Sequence, residues 1–276
     1  MKHRADLGLK FALLTIAALF LLAIGAGWIM PHDPEKAEPQ LRLKDPGGEY
    51  PFGTDHLGRC IFSRVLFGIR ISLFIGLTTV FFSALIGMVL GGAAGYYGGL
   101  LEEAVMRVVD AFLSFPSIFL ALAVIGFLGS GLANLMLSLI LVEWTGYARL
   151  VRSEVLSLKG KEFLESARSL GASDIYIMSR HIMPNILPSL LVMATLSVGY
   201  AILGAASLSF LGLGVQPPTP EWGSMMNDAR PFLRSHPMMM IFPGIAITVT
   251  VLAFHLLGDG IRERLDPRSS ADRQFF

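Results

Sequence analysis

Six apolar runs in this chain are long enough to cross a membrane, and they constrain its fold more than any other feature. A bilayer core about 30 Å thick needs about 20 helical residues at about 1.5 Å per residue. The composition agrees, since 53% of the residues are hydrophobic and only 16% are charged. The sequence therefore predicts an all-α integral membrane protein with six transmembrane helices. The predicted spans are Phe11–Met30, Ile71–Tyr97, Ala111–Leu128, Ala133–Leu150, Ile186–Leu208 and Met238–Leu257.

The distribution of Lys and Arg predicts the orientation of these spans. Six spans place both termini on one side of the membrane, and cytoplasmic loops carry an excess of basic residues. The side that holds the termini has 14 Lys and Arg, and the other side has 8. We therefore expect both termini in the cytoplasm. The first run has the basic start of a signal peptide but no small-residue cleavage site, so we expect it to be a retained helix.

This pattern divides the chain into three regions. They are an N-terminal helix with an outer loop (1–70), a five-helix core (71–265) and a cytoplasmic tail (266–276). The outer loop ends with an apolar residue at every fourth position, at Leu57, Ile61, Val65 and Ile69, which predicts an amphipathic helix. That helix either lies on the membrane surface or contacts a partner protein outside the membrane.

Glycines mark one face of the second span. Gly87, Gly91, Gly95 and Gly99 recur at every fourth position, so a helix places them on the same side. Because glycine has no side chain, such a face lets two helix backbones approach closely. We therefore expect this face to pack against a neighbouring helix.

The longest polar stretch on the cytoplasmic side, residues 149–185, has the pattern of two short helices. Phe163, Leu164, Ala167 and Leu170 form an apolar stripe, and Gly171 is expected to end the first helix. A second helix follows, with Ser173 as its N-cap and Asp174 in its positive first turn. Pro184 then begins the next span. An exposed amphipathic pair of helices is typical of a docking surface.

The same stretch resembles the EAA loop of ABC-importer membrane subunits. Glu165-Ser166-Ala167, then Gly171 and then Met183-Pro184 follow the spacing Glu-Ala-Ala, three residues, Gly, nine residues, Ile, one residue, Leu-Pro. Ser166, His181 and Met183 depart from that pattern, without an insertion or a deletion. The resemblance implies that this loop couples the chain to ATPase subunits. The residues that it assigns to coupling are Glu162, Glu165, Ala167, Gly171, Ala172, Asp174 and Pro184.

Further motifs are similar to the dipeptide, oligopeptide and nickel permease branch, and specifically to its second-permease subunits. These motifs are Phe52-Gly53-Thr54-Asp55-His56-Leu57-Gly58-Arg59, Ser207-Leu208-Ser209-Phe210-Leu211-Gly212-Leu213-Gly214, Pro220-Glu221-Trp222-Gly223 and Leu256-Leu257-Gly258-Asp259-Gly260. The resemblance covers almost the whole chain. It implies the MetI-like permease fold of type I importers, in a bacterial or archaeal cytoplasmic membrane.

The resemblance also implies the partners: a homologous permease subunit in a heterodimer, two ATPase subunits and an extracytoplasmic substrate-binding protein. The chain has no Gly-x-x-x-x-Gly-Lys-Ser/Thr phosphate loop, so ATP and Mg²⁺ belong to the partner subunits and no cofactor is expected here. A net charge of +1 provides no basic field for nucleic acid, which is therefore not an expected partner. Membrane lipid, in contrast, is an expected partner.

Three functions remain open at this point. The resemblance implies uptake of di- or oligopeptides, with uptake of nickel or a nickel chelate as the alternative and a passive channel as a remote one. A channel has no use for a docking segment with ATPase spacing. A membrane enzyme is not expected, because neither His-Glu-x-x-His nor Gly-x-Ser-x-Gly occurs in the sequence.

Glu143 and His255 are ionisable residues inside predicted spans. An ionised carboxylate that faced lipid would be costly, so Glu143 is expected to face protein or water. It either lines the translocation path or pairs with an arginine. His255 is a second candidate for the path and would be a metal ligand if the cargo were nickel; the alternative is a packing role. With the single cysteine Cys60 and no His/Cys cluster, no resident metal site is expected.

Pro116 and Trp222 are expected to shape the core. Pro116 removes a backbone hydrogen bond inside the third predicted span and should kink it, either as a hinge or as a fixed bend. Trp222 lies in a proline-rich segment, 216–237, and is expected at headgroup level in a surface or re-entrant loop.

Overall fold

The computed structural model describes the backbone of residues 2–265 and the side chains from Leu7 onward; the predicted tail, 266–276, lies outside the described residues. Within this range all regular elements are helices, apart from one antiparallel bridge between Thr54 and Cys60. The all-α prediction is confirmed. The helices are α1 (Lys2–Ile29), α2 (Ile61–Tyr97), α3 (Gly99–Leu113), α4 (Ser117–Leu128), α5 (Leu132–Lys159), α6 (Glu162–Ser169), α7 (Asp174–Ile177), α8 (Met183–Phe210), α9 (Trp222–Ala229) and α10 (Met238–Leu265).

The predicted count of six spans is confirmed only in part. Four helical stretches of the described chain are long and apolar enough to cross a membrane: Leu7–Ile29, Ile61–Tyr97, Asp174–Phe210 and Met238–Leu265. α3 and α4 form a fifth span only if they are taken together. α5 is not among these stretches, because it carries charged residues from Glu143 onward, which lower its mean hydropathy.

The predicted third span, Ala111–Leu128, is not one helix. α3 ends at Leu113, α4 begins at Ser117, and the two helices meet at 93°. Pro116 precedes α4 with φ −60° and ψ 128°, outside the helical region. Because proline lacks an N–H and its ring clashes with the preceding helical turn, it starts a helix more readily than it continues one. The kink expected at Pro116 is therefore a complete break.

The glycine face of α2 packs against α5 in the most extensive helix contact of the fold. A Cβ added to Gly87, Gly91 or Gly95 would lie 2.3–2.9 Å from an atom of α5; for Gly91 this atom is the carbonyl oxygen of Ala148. The prediction of close packing is confirmed for these three glycines. It is wrong for Gly99, which begins α3 and has no neighbour within 4 Å of an added Cβ.

A group of buried charges fastens the loop before α2 to α9. The Asp55 carboxylate accepts from Arg59 Nε at 2.6 Å, and Arg59 Nη2 donates to Asp228 of α9 at 3.1 Å. Arg64 Nε lies 3.5 Å from Asp55, and its Nη1 donates to the carbonyl of Pro34 at 2.9 Å. We call Asp55, Arg59, Arg64 and Asp228 the buried ion cluster. It makes this loop a fixed part of the bundle.

The start of α2 differs from the amphipathic surface helix predicted for this region. α2 begins at Ile61 and continues past residue 70 without a break, with Ile61 and Ile69 buried. The expected boundary at residue 70 therefore falls inside one helix. The expectation for Trp222 is wrong, because it is fully buried; its Nε1 donates to the carbonyl of Val65 at 3.1 Å, and its ring lies where Gly68 has no side chain.

Candidate functional site

Two short helices connect α5 to α8, and we call residues 161–177 the α6–α7 segment. α6 ends in a Schellman motif: the N–H of Ala172 donates to the carbonyl of Ala167 at 3.1 Å, and the N–H of Gly171 donates to that of Arg168 at 2.9 Å. Gly171 has a φ of +81°, which glycine adopts without strain. Ala167 and Ala172 pack against the core below. Three residues of the predicted coupling set thus build one helix end.

The second half of the α6–α7 segment is continuous with α8. Ser173 caps α7 as predicted, since its Oγ accepts from the N–H of Tyr176 at 3.4 Å. A π-helical turn at Met178–Ile182 then joins α7 to α8, so that residues 174–210 form one helical rod. This turn lies next to Pro184, whose missing N–H and bulky ring disturb regular α-helical bonding. Because α7 and α8 are parts of one continuous helix, a displacement of α7 also displaces α8.

The α6–α7 segment is anchored firmly to the rest of the bundle. Leu164 of α6 and Ile177 of α7 are completely buried in the main core. The hydroxyl of Tyr96, at the end of α2, donates to Asp174 Oδ1 at 2.7 Å. The guanidinium of Arg168 lies 5.4 Å from the centroid of the same tyrosine ring, within cation–π range. The segment is therefore positioned by α2 as well as by its own chain connections.

Large apolar side chains point away from this anchored base. Phe163, Leu170, Ile175 and Tyr176 are 40%, 88%, 79% and 51% exposed, and we call them the exposed crest. Apolar side chains grouped in this way on a polar segment mark a surface for another protein. The crest is therefore a candidate docking surface.

The acidic members of the predicted coupling set lie on the same segment. Glu162 and Glu165 are exposed in the first turn of α6, where negative charge favours the helix dipole. Within the described part of the chain, neither carboxylate forms an ion pair. Pro184 is exposed in the first turn of α8. These carboxylates are thus free to meet cations of a docked protein.

Glu143 lies at the wall of an open cavity of about 450 Å³ between α4, α5 and α8. Its Oε2 is buried and has no hydrogen-bond partner among the described residues. At about 1.5 Å per residue, Glu143 is about 17 Å along α5 from its start. The cavity is lined by Ser117, Ile118, Ala121, Leu139, Val142, Glu143, Tyr147, Met193, Ser197, Tyr200, Leu203, Gly204 and Ser207.

His255 does not line this cavity but supports one of its walls. The ring of His255 packs edge to face with that of Tyr200, with centroids 4.8 Å apart, and its Nδ1 lies 3.0 Å from the carbonyl of Val251. An added Cβ on Gly199 would lie 3.0 Å from Nδ1, so α8 and α10 are close at this point. In the described residues no three His, Cys, Asp or Glu side chains group as metal ligands.

Several residues of these sites could not be singled out from sequence. The ion pairs Arg152–Glu102 and Arg149–Asp110 join α5 to α3. Charge inside or near an apolar run is the only sequence signal for them, and it does not identify the partner. The hydroxyl-bearing residues of the cavity, such as Tyr147 and Ser197, are ordinary residues of membrane helices, and only the packing of α5 against α8 brings them together.

The comparisons with known proteins agree with this architecture. Residues 62–271 match the family described as "Binding-protein-dependent transport system inner membrane component". The glutathione transport system permease protein GsiD of Escherichia coli O6:K15:H31 (strain 536 / UPEC) is 49% identical over 258 residues, which cover 93% of this chain and 85% of GsiD. The nickel transport system permease protein NikC of Escherichia coli (strain K12) is 43% identical over 258 residues, covering 94% and 93%.

A solved structure supports the same fold. A chain of the inward-facing MetNI methionine ABC transporter matches with a TM-score of 0.53 at 21% identity, covering 71% of this chain and 94% of that one. The helical bundle, the α6–α7 segment and these matches define a permease subunit of an ABC importer. The chain belongs to the family of binding-protein-dependent transport system inner membrane components. The predictions of family, fold class and permease function are confirmed, and membership implies ATPase and substrate-binding partners.

Proposed function

We propose that this chain forms one half of the translocation path of a type I importer and that a homologous permease subunit forms the other half. Two ATPase subunits, which bind ATP and Mg²⁺, dock at the cytoplasmic face, and the exposed crest is the docking surface on this chain. An extracytoplasmic substrate-binding protein delivers cargo at the opposite end, near the buried ion cluster. Both termini lie on the cytoplasmic side of a bacterial or archaeal cytoplasmic membrane, in agreement with the distribution of basic residues.

The exposed crest is the observation that carries this proposal. Its four apolar side chains stand on helices that Leu164 and Ile177 anchor in the core, so a force on the crest acts on the core as well. Closure of the ATPase pair moves the α6–α7 segment, and the continuous helix from Asp174 to Phe210 passes that motion to the cavity wall. The direction of transport is set by the difference in cargo affinity between the two conformational states of the importer.

Substituting one crest residue tests this docking role. Leu170→Glu places a charge on a side chain that is 88% exposed, so folding of the chain is preserved. Leu100→Glu is the matched control, since Leu100 is an 85% exposed leucine on α3, outside the segment. A lost apolar hot spot is worth about 2 kcal/mol, so Leu170→Glu should reduce co-purification of the ATPase subunits by about tenfold or more. Equal retention in both variants would disprove the docking role of the crest.

Small peptides are the cargo that we assign to the importer. The relative at 49% identity is named for glutathione transport, and glutathione is itself a peptide. The cavity offers one carboxylate, several hydroxyls and two tyrosine rings, a lining that suits a polar organic molecule. Di- and oligopeptides fit this description.

Nickel or a nickel chelate is the second candidate, because the relative at 43% identity is named for nickel transport. Both assignments are tested by substrate uptake and ATP hydrolysis in proteoliposomes with the substrate-binding protein, using dialanine, glutathione, NiCl₂ and a nickel chelate. Peptide-dependent hydrolysis with uptake supports the first assignment. A response to nickel compounds alone replaces it with the second, and uptake without ATP would indicate a passive channel.

Three residues have roles inside this path. Glu143 lines it at mid-membrane, and His255 fixes the ring of Tyr200 at its edge. The break at Pro116 acts as the hinge between α3 and α4. A Pro116→Ala variant that restored a straight helix and kept full transport would contradict the hinge role.

A further inference from the structure

We infer that the cavity beside Glu143 is a cargo site for a protonated amine, with the Glu143 carboxylate as its counter-charge. The inference rests on the proposed peptide import and deepens it, because it names the chemical group of the cargo that this chain binds. For a peptide, that group is the N-terminal ammonium.

The first argument is that the Glu143 carboxyl lacks a partner. Its Oε2 is removed from solvent and has no hydrogen-bond donor in the described part of the chain. Buried charged groups are normally paired, since an unpaired carboxylate at this depth costs several kcal/mol. A group that stays unpaired inside a cavity is a group whose partner arrives from outside.

The second argument is the charge of the surrounding wall. The described lining residues include no Lys, Arg or His that could neutralise the carboxylate. Besides Glu143, the titratable side chains in the described lining are the phenols Tyr147 of α5 and Tyr200 of α8. The histidine behind Tyr200 faces that ring and the Val251 carbonyl. The site is therefore complementary to a single positive charge.

The third argument is the chemistry of the other lining groups. An ammonium has three N–H donors, and the cavity lining also contains the hydroxyls of Ser197 and Ser207, whose oxygens can accept hydrogen bonds. The faces of Tyr147 and Tyr200 attract a cation that has lost part of its water. A nickel ion, in contrast, favours several nitrogen, sulfur or carboxylate ligands, and the described lining contains one carboxylate, one thioether, that of Met193, and otherwise only hydroxyls as polar side-chain groups.

Peptide protection of a cysteine in the cavity wall tests this inference without the substrate-binding protein. Ser117→Cys, at an exposed position of the cavity lining, is introduced into the complete complex in lipid nanodiscs, and its reaction with N-ethylmaleimide is followed by peptide mass spectrometry. Native Cys60, which is buried, serves as the internal unreactive control. Dialanine and N-acetyl-dialanine are the two probes, because they differ in the presence of the ammonium.

Dialanine is expected to slow the labelling of residue 117 several-fold, and N-acetyl-dialanine is not. Glu143→Gln should abolish the protection by dialanine, and Glu103→Gln, which removes an exposed carboxylate on α3, should leave it intact. Equal protection by both peptides, or no protection by either, overturns the inference. The comparison of dialanine with N-acetyl-dialanine uses the protein that retains Glu143, so it tests the inference even if Glu143→Gln fails to assemble. Peptide uptake without protection refutes the ammonium site alone, whereas absence of peptide uptake refutes the proposed function.

Discussion

Replacing Gly91 with alanine tests how closely α2 and α5 approach. The added methyl carbon would stand 2.3 Å from the carbonyl oxygen of Ala148 and 2.8 Å from its Cα. Ordinary contacts between such atoms are about 3.5–4.0 Å, so the two helices must separate by roughly 1 Å. Because the obstructing atoms belong to the backbone, no change of rotamer relieves the overlap. Overpacking of this kind costs about 1–3 kcal/mol, and we expect the upper part of that range.

Two other glycines provide a graded control for this substitution. An added Cβ on Gly92 meets the flexible end of Met183 at 3.2 Å, and one on Gly126, inside α4, meets nothing within 4 Å. Thermal unfolding of the purified chain in detergent is the assay, with about 2–4 °C expected per kcal/mol. Gly91→Ala should lower Tm by several degrees, Gly92→Ala by less, and Gly126→Ala should not lower it, since alanine is the better helix former. The same Tm in all three variants would refute the close contact.

Three further predictions concern the two ends of the bundle. Asp55→Asn removes the carboxylate that neutralises the arginines of the buried ion cluster and should cost about 3–5 kcal/mol, whereas Glu49→Gln, at the exposed pair with Lys44, should leave Tm nearly unchanged. Similar Tm values for the two variants would contradict this. Burial raises the pKa of Glu221, so the stability that this carboxyl contributes is present below its unfolded pKa of about 4.3 and is lost as pH rises through the folded pKa. The Tm of the wild-type protein relative to that of Glu221→Gln should therefore fall with rising pH. A difference in Tm that stayed constant with pH would contradict this. Tyr96→Phe loses the bond to Asp174 and should raise the ATP hydrolysed per cargo imported, with assembly intact; unchanged coupling would contradict this.

The sequence predicts well those features that depend on a local pattern. The capping of α7 by Ser173 and the end of α6 at Gly171 follow from backbone preferences of single residues, and both are observed. The glycine face of α2 follows from helical periodicity, and Gly87 to Gly95 pack as predicted. Each of these signals is contained in a stretch of a few residues, so no tertiary information is needed to interpret it.

Features that depend on distant contacts are not predictable in this way. Hydropathy alone merges α3 and α4 into one run, because the apolar residues on both sides of Pro116 do not reveal a 93° bend. Trp222 has the amphipathic ring of an interfacial residue, but Gly68, more than 150 residues away, provides the space that buries it. The cavity beside Glu143 likewise exists only because α4, α5 and α8 meet around it.

α2 contacts the α6–α7 segment, α5 and the buried ion cluster, and these contacts determine which helices can move together. Its last turn holds the α6–α7 segment through Tyr96, its C-terminal third packs closely against α5 at Gly91, and its first turn joins the buried ion cluster through Arg64. We therefore expect α2 and α5 to move as one body when the ATPase subunits close, and α4 to move relative to them at the break before Ser117. Spin-label distances should stay constant between α2 and α5 and change between α4 and α5 on ATP binding. A change of equal size in both distances would show that α2 and α5 are not a rigid unit.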